Sequence, residues 1–246
     1  MTKTGKLTLL LLLIATVSCK SSEEILQEPL AFEPFYTIND SLKKDPDIEN
    51  WLKPYREIYE QEMGRRIARA NGPLTFGQPE SSLGNLATDI IRYRAIHEYQ
   101  KFVHIAVMNP DGFQLEFEEG DITLGDLYEF MPYDNTLVIL EMKGQDVREL
   151  ADEIAEKGGV PLSGMRMTIV DGKATGVLVD SESLEADKIY LVATSSYVAR
   201  GGGGFHSMQN GLARHDYSVL IRDIFIDYMR SRREFTPVED LRIRTR

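Results

Sequence analysis

The sequence predicts an α+β fold, a mixed sheet with helices packed on it, and three observations carry that expectation. Helical periods and extended runs follow one another irregularly, without the strand–helix alternation of a doubly wound parallel sheet. Asp171-Gly172 stands between two alternating segments, 165–170 and 176–179, and such a dipeptide marks a tight hairpin with antiparallel pairing. No internal repeat recurs at solenoid periods.

The chain has 246 residues and a formal net charge of −11. That acidic excess excludes nonspecific nucleic-acid binding, which needs clustered Lys and Arg to displace counterions from phosphates. It also means that an anionic ligand must be held by local donors against the overall field.

Lys3 and Lys6 precede an apolar run over 7–15. The run is too short to cross a hydrocarbon core, which takes about 20 residues, and fits the apolar region of a signal peptide. Thr16, Val17 and Ser18 then lead to Cys19, the one cysteine of the sequence. A lone thiol in an exported chain has no internal disulfide partner, and small residues before Cys are what bacterial lipoprotein processing selects. The expectation is a signal peptide over 1–18, lipidation at Cys19 and a membrane anchor in the cell envelope, on the periplasmic or surface side. The alternative is an ordinary signal peptide with an incidental Cys.

Residues 19–54 read as a lipidated tether and linker, polar at Lys20 to Glu24 and interrupted by Pro29, Pro34, Pro46 and Pro54. Phe32, Phe35, Tyr36 and Trp51 give it apolar residues that can adhere to a domain surface. The domain itself is expected over 55–246. It opens on a helical pattern over 55–69 that Asn71-Gly72-Pro73 breaks. Ser81 or Ser82 caps a stronger helix in which Leu83, Leu86, Ala87, Ile90 and Ile91 recur at helical spacing.

A buried strand over 104–108 ends at Asn109-Pro110-Asp111-Gly112, a turn by composition. A short helix carries Asp126, Leu127 and Phe130 and stops at Pro132-Tyr133-Asp134-Asn135. A strand over 136–142 turns at Lys143-Gly144 into a helix over 145–156. A strand over 189–193 runs through Tyr197 and Val198 to Gly201-Gly202-Gly203-Gly204, and a last helix is expected over 218–232.

Four segments taken in order resemble the C-terminal, substrate-recognising domain of the 5′-nucleotidase family. They are Glu80-Ser81-Ser82-Leu83-Gly84-Asn85-Leu86-Ala87-Thr88-Asp89; Asn109-Pro110-Asp111-Gly112 with Gly120-Asp121-Ile122-Thr123; Met131-Pro132-Tyr133-Asp134-Asn135-Thr136-Leu137-Val138 with Lys143-Gly144 and Leu162-Ser163-Gly164; and 190–205, ending in Gly201-Gly202-Gly203-Gly204-Phe205. The resemblance covers residues 55–230.

It implies a nucleoside or nucleotide site in which Tyr133 and Phe205 sandwich a purine, each stacked face contributing about 1–3 kcal/mol. By the same resemblance Asn109 and Asn135 are polar contacts, Gly112 and Gly164 allow close backbone approach, and Asn210 stands where the family has a ribose-binding aspartate. Read without the family pattern, Tyr133 and Phe205 are core aromatics and the glycines a tight turn. Two family arginines are replaced, by Pro79 and Gln114, and neither supplies a guanidinium fork. The usual Gly-Gly-Asp-Gly reads Gly201-Gly202-Gly203-Gly204, so a nucleoside or another aromatic ligand fits the resemblance as well as a nucleotide.

Full-length members hydrolyse the phosphate ester in an N-terminal domain that holds two metals among Asp, His and Asn ligands. The histidines of this sequence are His97, His104, His206 and His215, with no Asp-x-His or Gly-Asn-His motif. No metal site or cofactor is therefore expected in the chain, and divalent metals are expected only in a catalytic partner. His97 reads as a helix-face residue, His104 as core or strand end, and His215-Asp216 as a surface pair. Ser195 and Ser196 lack a G-x-S-x-G elbow, and 201–204 lacks the Lys-Ser or Lys-Thr of a P-loop. Glu116, Glu118 and Glu119 read as a solvated hairpin face or a cation site, and 230–246 as a solvated basic tail or partner contact. The expected function is nucleoside and nucleotide recognition in a split 5′-nucleotidase of nucleotide catabolism, not catalytic alone and dependent on a separate metallophosphoesterase subunit. The alternative is a non-catalytic ligand-binding or structural cell-envelope lipoprotein.

Overall fold

The computed structural model describes residue 39 and residues 41–246. The signal peptide, Cys19 and most of the expected tether lie outside these residues. The linker expected up to residue 54 instead contains a helix, α1, over Pro46–Met63. Pro46 opens it, where a missing N–H costs nothing. Trp51, Tyr55 and Ile58 recur at helical spacing, a period hidden by Pro54 within the helix. Nor does the helical pattern reach residue 69. The Gly64 N–H closes onto the Glu60 carbonyl at 2.9 Å, and the chain extends into β1, Arg66–Ala70, which buries Ile67, Ala68 and Ala70.

The remaining helices follow local rules. In α2, Ser82–Tyr99, the Ser81 hydroxyl accepts from the Gly84 N–H at 3.2 Å. In α3, Leu124–Phe130, Thr123 and Asp126 form a reciprocal capping box that satisfies two otherwise orphaned N–H groups. α4 spans Gly144–Glu156 and α5 spans Ile221–Arg232.

Among the described residues the strands form three sheets. β1 is flanked by β3, Gly120–Thr123, antiparallel, and β11, Glu234–Phe235, parallel. A central five-stranded sheet runs β10 (Ala213–Leu220), β4 (Thr136–Lys143), β9 (Ile189–Ser195), β2 (Ile105–Val107), β5 (Leu162–Ser163). A third sheet joins β12 (Ile243–Thr245), β6 (Met165–Val170), β7 (Lys173–Val179) and β8 (Glu182–Ser183). Its β6–β7 hairpin turns through Asp171 and Gly172, both at positive φ, as Asp-Gly composition predicts.

The central sheet is buried on both faces. Along β4, Leu137 and Ile139 enter one core with Leu83, Ile90 and Ile91 of α2 and Phe225 of α5. Val138, Leu140 and Met142 enter another, with Val147, Leu150 and Ile154 of α4 and Met167 and Val177 of the hairpin. Alternate side chains point to opposite faces, so a strand covered on both sides reads as the continuous apolar run seen over 137–140. Each such side chain contributes about 1.5–3 kcal/mol when fully buried.

Two further segments differ from expectation. The last helix begins at Ile221, because the preceding residues form β10, an edge strand antiparallel to β4. His215 stays partly exposed on this edge strand, as expected of a surface residue, but is tied down: its Nε2 lies 3.0 Å from Glu141 Oε1, an oxygen that also accepts from the Tyr99 hydroxyl at 2.8 Å. The His215 hydrogen bond, then that of Tyr99, holds the Glu141 carboxyl below its ordinary range. Nor is the C-terminus a solvated tail. Ile243 is buried in the second core, and Arg242 is 9% exposed, bidentate to Asp89 at 2.9 and 2.7 Å. Glu80 accepts from the Asp240 and Arg242 N–H groups at 2.9 and 2.6 Å and from Asn85 Nδ2 at 2.6 Å.

His104 is a strand-end residue whose Nδ1 accepts from the Leu191 N–H at 3.0 Å. Burial lowers its pKa below 6.5, with Lys188 and Arg92 acting in the same direction and Asp180 opposing. The unfolded chain therefore takes the proton first, and the stability contributed by neutral His104 is complete above about 6.5 and falls as pH drops below it. In urea unfolding from neutral pH to about pH 5, His104→Gln should flatten that decline. Parallel curves for the two proteins would contradict this.

Candidate functional site

A cavity of about 310 Å3 opens where the central strands end, lined by Asn109, Asp111, Gly112, Tyr133, Asn135 and Tyr197. β2 delivers Asn109, which is 5% exposed and starts a one-turn 3-10 helix over Pro110–Gly112. Its side chain makes no capping bond there, so the carboxamide remains available to a ligand. A Cβ on Gly112 would stand 3.2 Å from Asn109 Oδ1, so glycine keeps that approach open.

Tyr133 lies on the loop between α3 and β4 and is 53% exposed. Arg222, at the start of α5, fixes this loop. Its Nη1 donates to the Met131 carbonyl at 3.0 Å and its Nη2 to Asp134 Oδ1 at 2.7 Å, while its guanidinium stands 4.5 Å from the Tyr128 ring centroid. Its Nε has no hydrogen-bond partner among the described residues.

The Asn135 carbonyl accepts from the Ile221 N–H at 2.8 Å, and the Ser196 hydroxyl reaches Asn135 Oδ1 at 3.5 Å. Ser196 Oγ also accepts from the Thr136 N–H at 3.2 Å. Ser196 is therefore a strut between the ends of β4 and β9, and Ser195 Oγ accepts from the Val198 N–H at 3.2 Å.

The second exposed ring is Tyr197, just past β9 and 45% exposed. The glycine loop lies directly on it: a Cβ on Gly202 would come within 2.6 Å of Tyr197 ring atoms. Phe205, expected as the other half of an aromatic sandwich, is 0% exposed and belongs to the second core. Gly201 and Gly203 take φ of 85° and 68°, and the chain they bend turns Phe205 inward. Lys157 Nζ lies 5.2 Å from its ring centroid.

Gly164 is also elsewhere. At φ 78° a Cβ there would stand 1.9 Å from the His104 carbonyl, so this glycine is required by the backbone, and it lines a separate polar cleft with Asp89 and Arg92. Asn210 is exposed outside the cavity, with its Nδ2 3.4 Å from Glu149 Oε2. The structure thus brings together Asn109, Gly112, Tyr133 and Asn135 and leaves out Phe205, Gly164 and Asn210. Sequence reasoning passed over Tyr197, although it lies within the family-like segment 190–205, and Arg222, which no local pattern marks.

Among the described residues no cationic side chain lines the cavity, and Asp111 adds a carboxylate. Gln114 donates from Nε2 to the Asp111 carbonyl at 2.8 Å, within its own turn. Pro79 packs against Gly159, where a Cβ would meet the Pro79 carbonyl at 2.1 Å. Among the described residues no group of three or more His, Cys, Asp and Glu is placed to hold a metal ion. Two partly exposed rings, two carboxamides and one carboxylate suit a flat, uncharged ligand with hydrogen-bonding edges.

Residues 66–210 match the family described as 5′-nucleotidase, C-terminal domain. A 5′-nucleotidase of Vibrio cholerae is 25% identical over 198 residues, covering 76% of this chain and 35% of that protein. The human 5′-nucleotidase is 24% identical over 238 residues, covering 84% of this chain and 42% of its own length. The crystal structure of a 5′-nucleotidase precursor from Thermus thermophilus superposes with a TM-score of 0.71 at 25% identity, over 80% of this chain and 42% of that one. The chain therefore spans well under half the length of these relatives.

Removing the Arg222 guanidinium strips the Met131 carbonyl and Asp134 of their donor. Arg222→Met should cost about 1.5–3 kcal/mol in urea unfolding and speed amide exchange over 131–135. Asp134→Ala removes only the exposed end of the pair and should cost under about 1 kcal/mol. An unchanged unfolding midpoint for Arg222→Met would contradict this anchoring role.

Proposed function

Because the chain belongs to the 5′-nucleotidase C-terminal domain family, we propose that it is the nucleoside-recognising part of a split 5′-nucleotidase that acts in nucleotide catabolism. The observation that carries this reading is the convergence of exposed Tyr133 and Tyr197 with Asn109 and Asn135 in one cavity. The two rings offer stacking surface to a base, about 1–3 kcal/mol per stacked base. The carboxamides of Asn109 and Asn135 each carry a donor and an acceptor and read the edge of the base. Asp111 accepts from a ribose hydroxyl. Gly112 keeps the wall beside Asn109 low enough for the ligand to approach.

The cavity lining offers a phosphate no cation among the described residues, so this chain binds the nucleoside moiety and leaves the phosphate to a separate metallophosphoesterase subunit. Divalent metals, which would polarise the phosphate and generate a hydroxide nucleophile, belong to that subunit. The chain is not catalytic alone, and phosphate release from AMP by the purified chain with added divalent metal would overturn the division of labour. Cys19 carries the lipid that holds the protein in the cell envelope, a reading supported by the apolar run and small residues before it.

A second reading, a non-catalytic lipoprotein that captures nucleosides or another aromatic ligand, is favoured by Pro79 and Gln114, which stand where the resemblance places arginines. Restoration of AMP hydrolysis by a co-produced metallophosphoesterase subunit separates the two.

Calorimetric titration with adenosine and AMP tests recognition directly. Adenosine should bind at least as tightly as AMP, and Tyr133→Ala and Tyr197→Ala should each weaken binding by about tenfold. Absent binding, or variants indistinguishable from the parent, would refute the site. In cells fed labelled palmitate, the parent should carry label and Cys19→Ala should not; equal labelling would remove the anchor.

A further inference from the structure

α1 presents an apolar face that the described residues leave uncovered. At about 100° per residue, Trp51, Leu52, Tyr55, Ile58 and Tyr59 fall on one side of the helix, with Lys53, Arg56, Glu57 and Glu60 on the other; Glu62, paired with Arg65, closes the apolar stripe at its C-terminal end. Trp51, Tyr55, Ile58 and Tyr59 are 64, 61, 63 and 61% exposed. A helix with such a stripe ordinarily buries it, and an exposed patch of large apolar side chains, here with the Trp51 and Tyr55 rings 5.5 Å apart, marks an interaction surface. Its composition of one Trp, two Tyr and an Ile is that of a binding hot spot more than of an incidental surface. The end of the helix is anchored, with Met63 Cβ 3.3 Å from where a Cβ of Gly125 would lie at the start of α3.

Position and charge single out the occupant. α1 ends at Met63, directly before residue 66, where the C-terminal-domain match begins. This is the place at which the rest of a full-length relative would join, and this chain covers only 35% of the Vibrio cholerae protein. The helix carries Asp47, Glu49, Glu57, Glu60 and Glu62 against Lys53 and Arg56. An anionic lipid surface attracts helices with Lys and Arg on the polar side, so α1 is a poor membrane binder. Two copies laid face to face would bring together two helices that each carry five carboxylates against two cations, which is unfavourable.

We infer that the Trp51, Tyr55, Ile58 and Tyr59 face of α1 is the docking surface for the metallophosphoesterase subunit, a partner with an apolar groove and a basic rim. The inference rests on the split-enzyme reading.

The test replaces Tyr55, Ile58 or, as a control, Glu57 by a photo-crosslinking amino acid in the full chain, irradiates native cells and identifies products by mass spectrometry. Positions 55 and 58 should crosslink to a polypeptide with a metallophosphoesterase sequence and position 57 should not. Adding Trp51→Glu to the position-58 probe should lower that yield by about tenfold or more. A product within the chain to residues before α1, with a second copy of this chain, with lipid or with a protein lacking that sequence overturns the inference, as does no product.

Co-purification and adenosine titration of the same chains separate the possible failures. A metallophosphoesterase that co-purifies but does not crosslink through α1 removes the docking surface and keeps the split enzyme. Its absence from the purified material removes the split enzyme, while adenosine binding by itself upholds recognition. Unaltered adenosine binding in the Trp51→Glu chain shows that the substituted protein is folded.

Discussion

The fold hangs on a buried cation. The Arg242 guanidinium donates to both oxygens of Asp89, to Asp240 Oδ1 at 2.7 Å and to the Leu162 carbonyl at 2.8 Å. A charge taken out of water destabilises unless every donor is matched, and here several acceptors meet one fork. The contacts join α2, β5 and the segment leading into β12, so the first core, beneath α2, and the second, beneath the β6–β7 hairpin, are held against the same central sheet. Glu80 secures the same segment through its backbone N–H groups. The Glu80, Asn85 and Asp89 positions, which carry part of the family pattern, thus serve the frame, and the cavity lined by Tyr133 and Tyr197 is elsewhere.

That frame decides where chemistry can occur. With β2, β4 and β9 covered on both faces, polar side chains free to meet a ligand are found where the ladder ends. Asn109 leaves β2 there, Asn135 enters β4 there and Tyr197 follows β9 there. Each is braced by a different device: a one-turn helix at Asn109, the Ser196 hydroxyl at Asn135 and the close seat of Gly202 on Tyr197, with the Arg222 fork holding the loop of Tyr133. Rigid strands with short braced loops hold recognition groups more accurately than long loops do.

Much of this was legible in the sequence. The periodicity of α2 and α4, the Asp171-Gly172 hairpin and the buried run of β4 follow from local preference and patterning, which agree with the tertiary structure there. β10 was not legible, because the edge strand Ala-Arg-His-Asp-Tyr-Ser-Val-Leu has polar residues where a central strand would be apolar. α1 was hidden by Pro46 and Pro54, which signal a break although one starts the helix and the other is tolerated within it. Pattern singled out Asn109, Tyr133 and Asn135, which the fold places together at the cavity. That Tyr197 and not Phe205 lines it was not legible, because which ring faces the cavity depends on the positive φ of Gly201 and Gly203. Arg222 acts on a loop far away in sequence, and no spacing rule reports such a contact.

The central claim is that Tyr133 and Tyr197, and not Phe205, form the recognition surface. It is tested most directly by a crystal structure of the chain with adenosine bound. The account predicts the base between or against the Tyr133 and Tyr197 rings, its edge within hydrogen-bonding distance of Asn109 or Asn135, and Phe205 still in the core beneath Gly203. Adenosine stacked on an exposed Phe205, or bound outside this cavity, would contradict it.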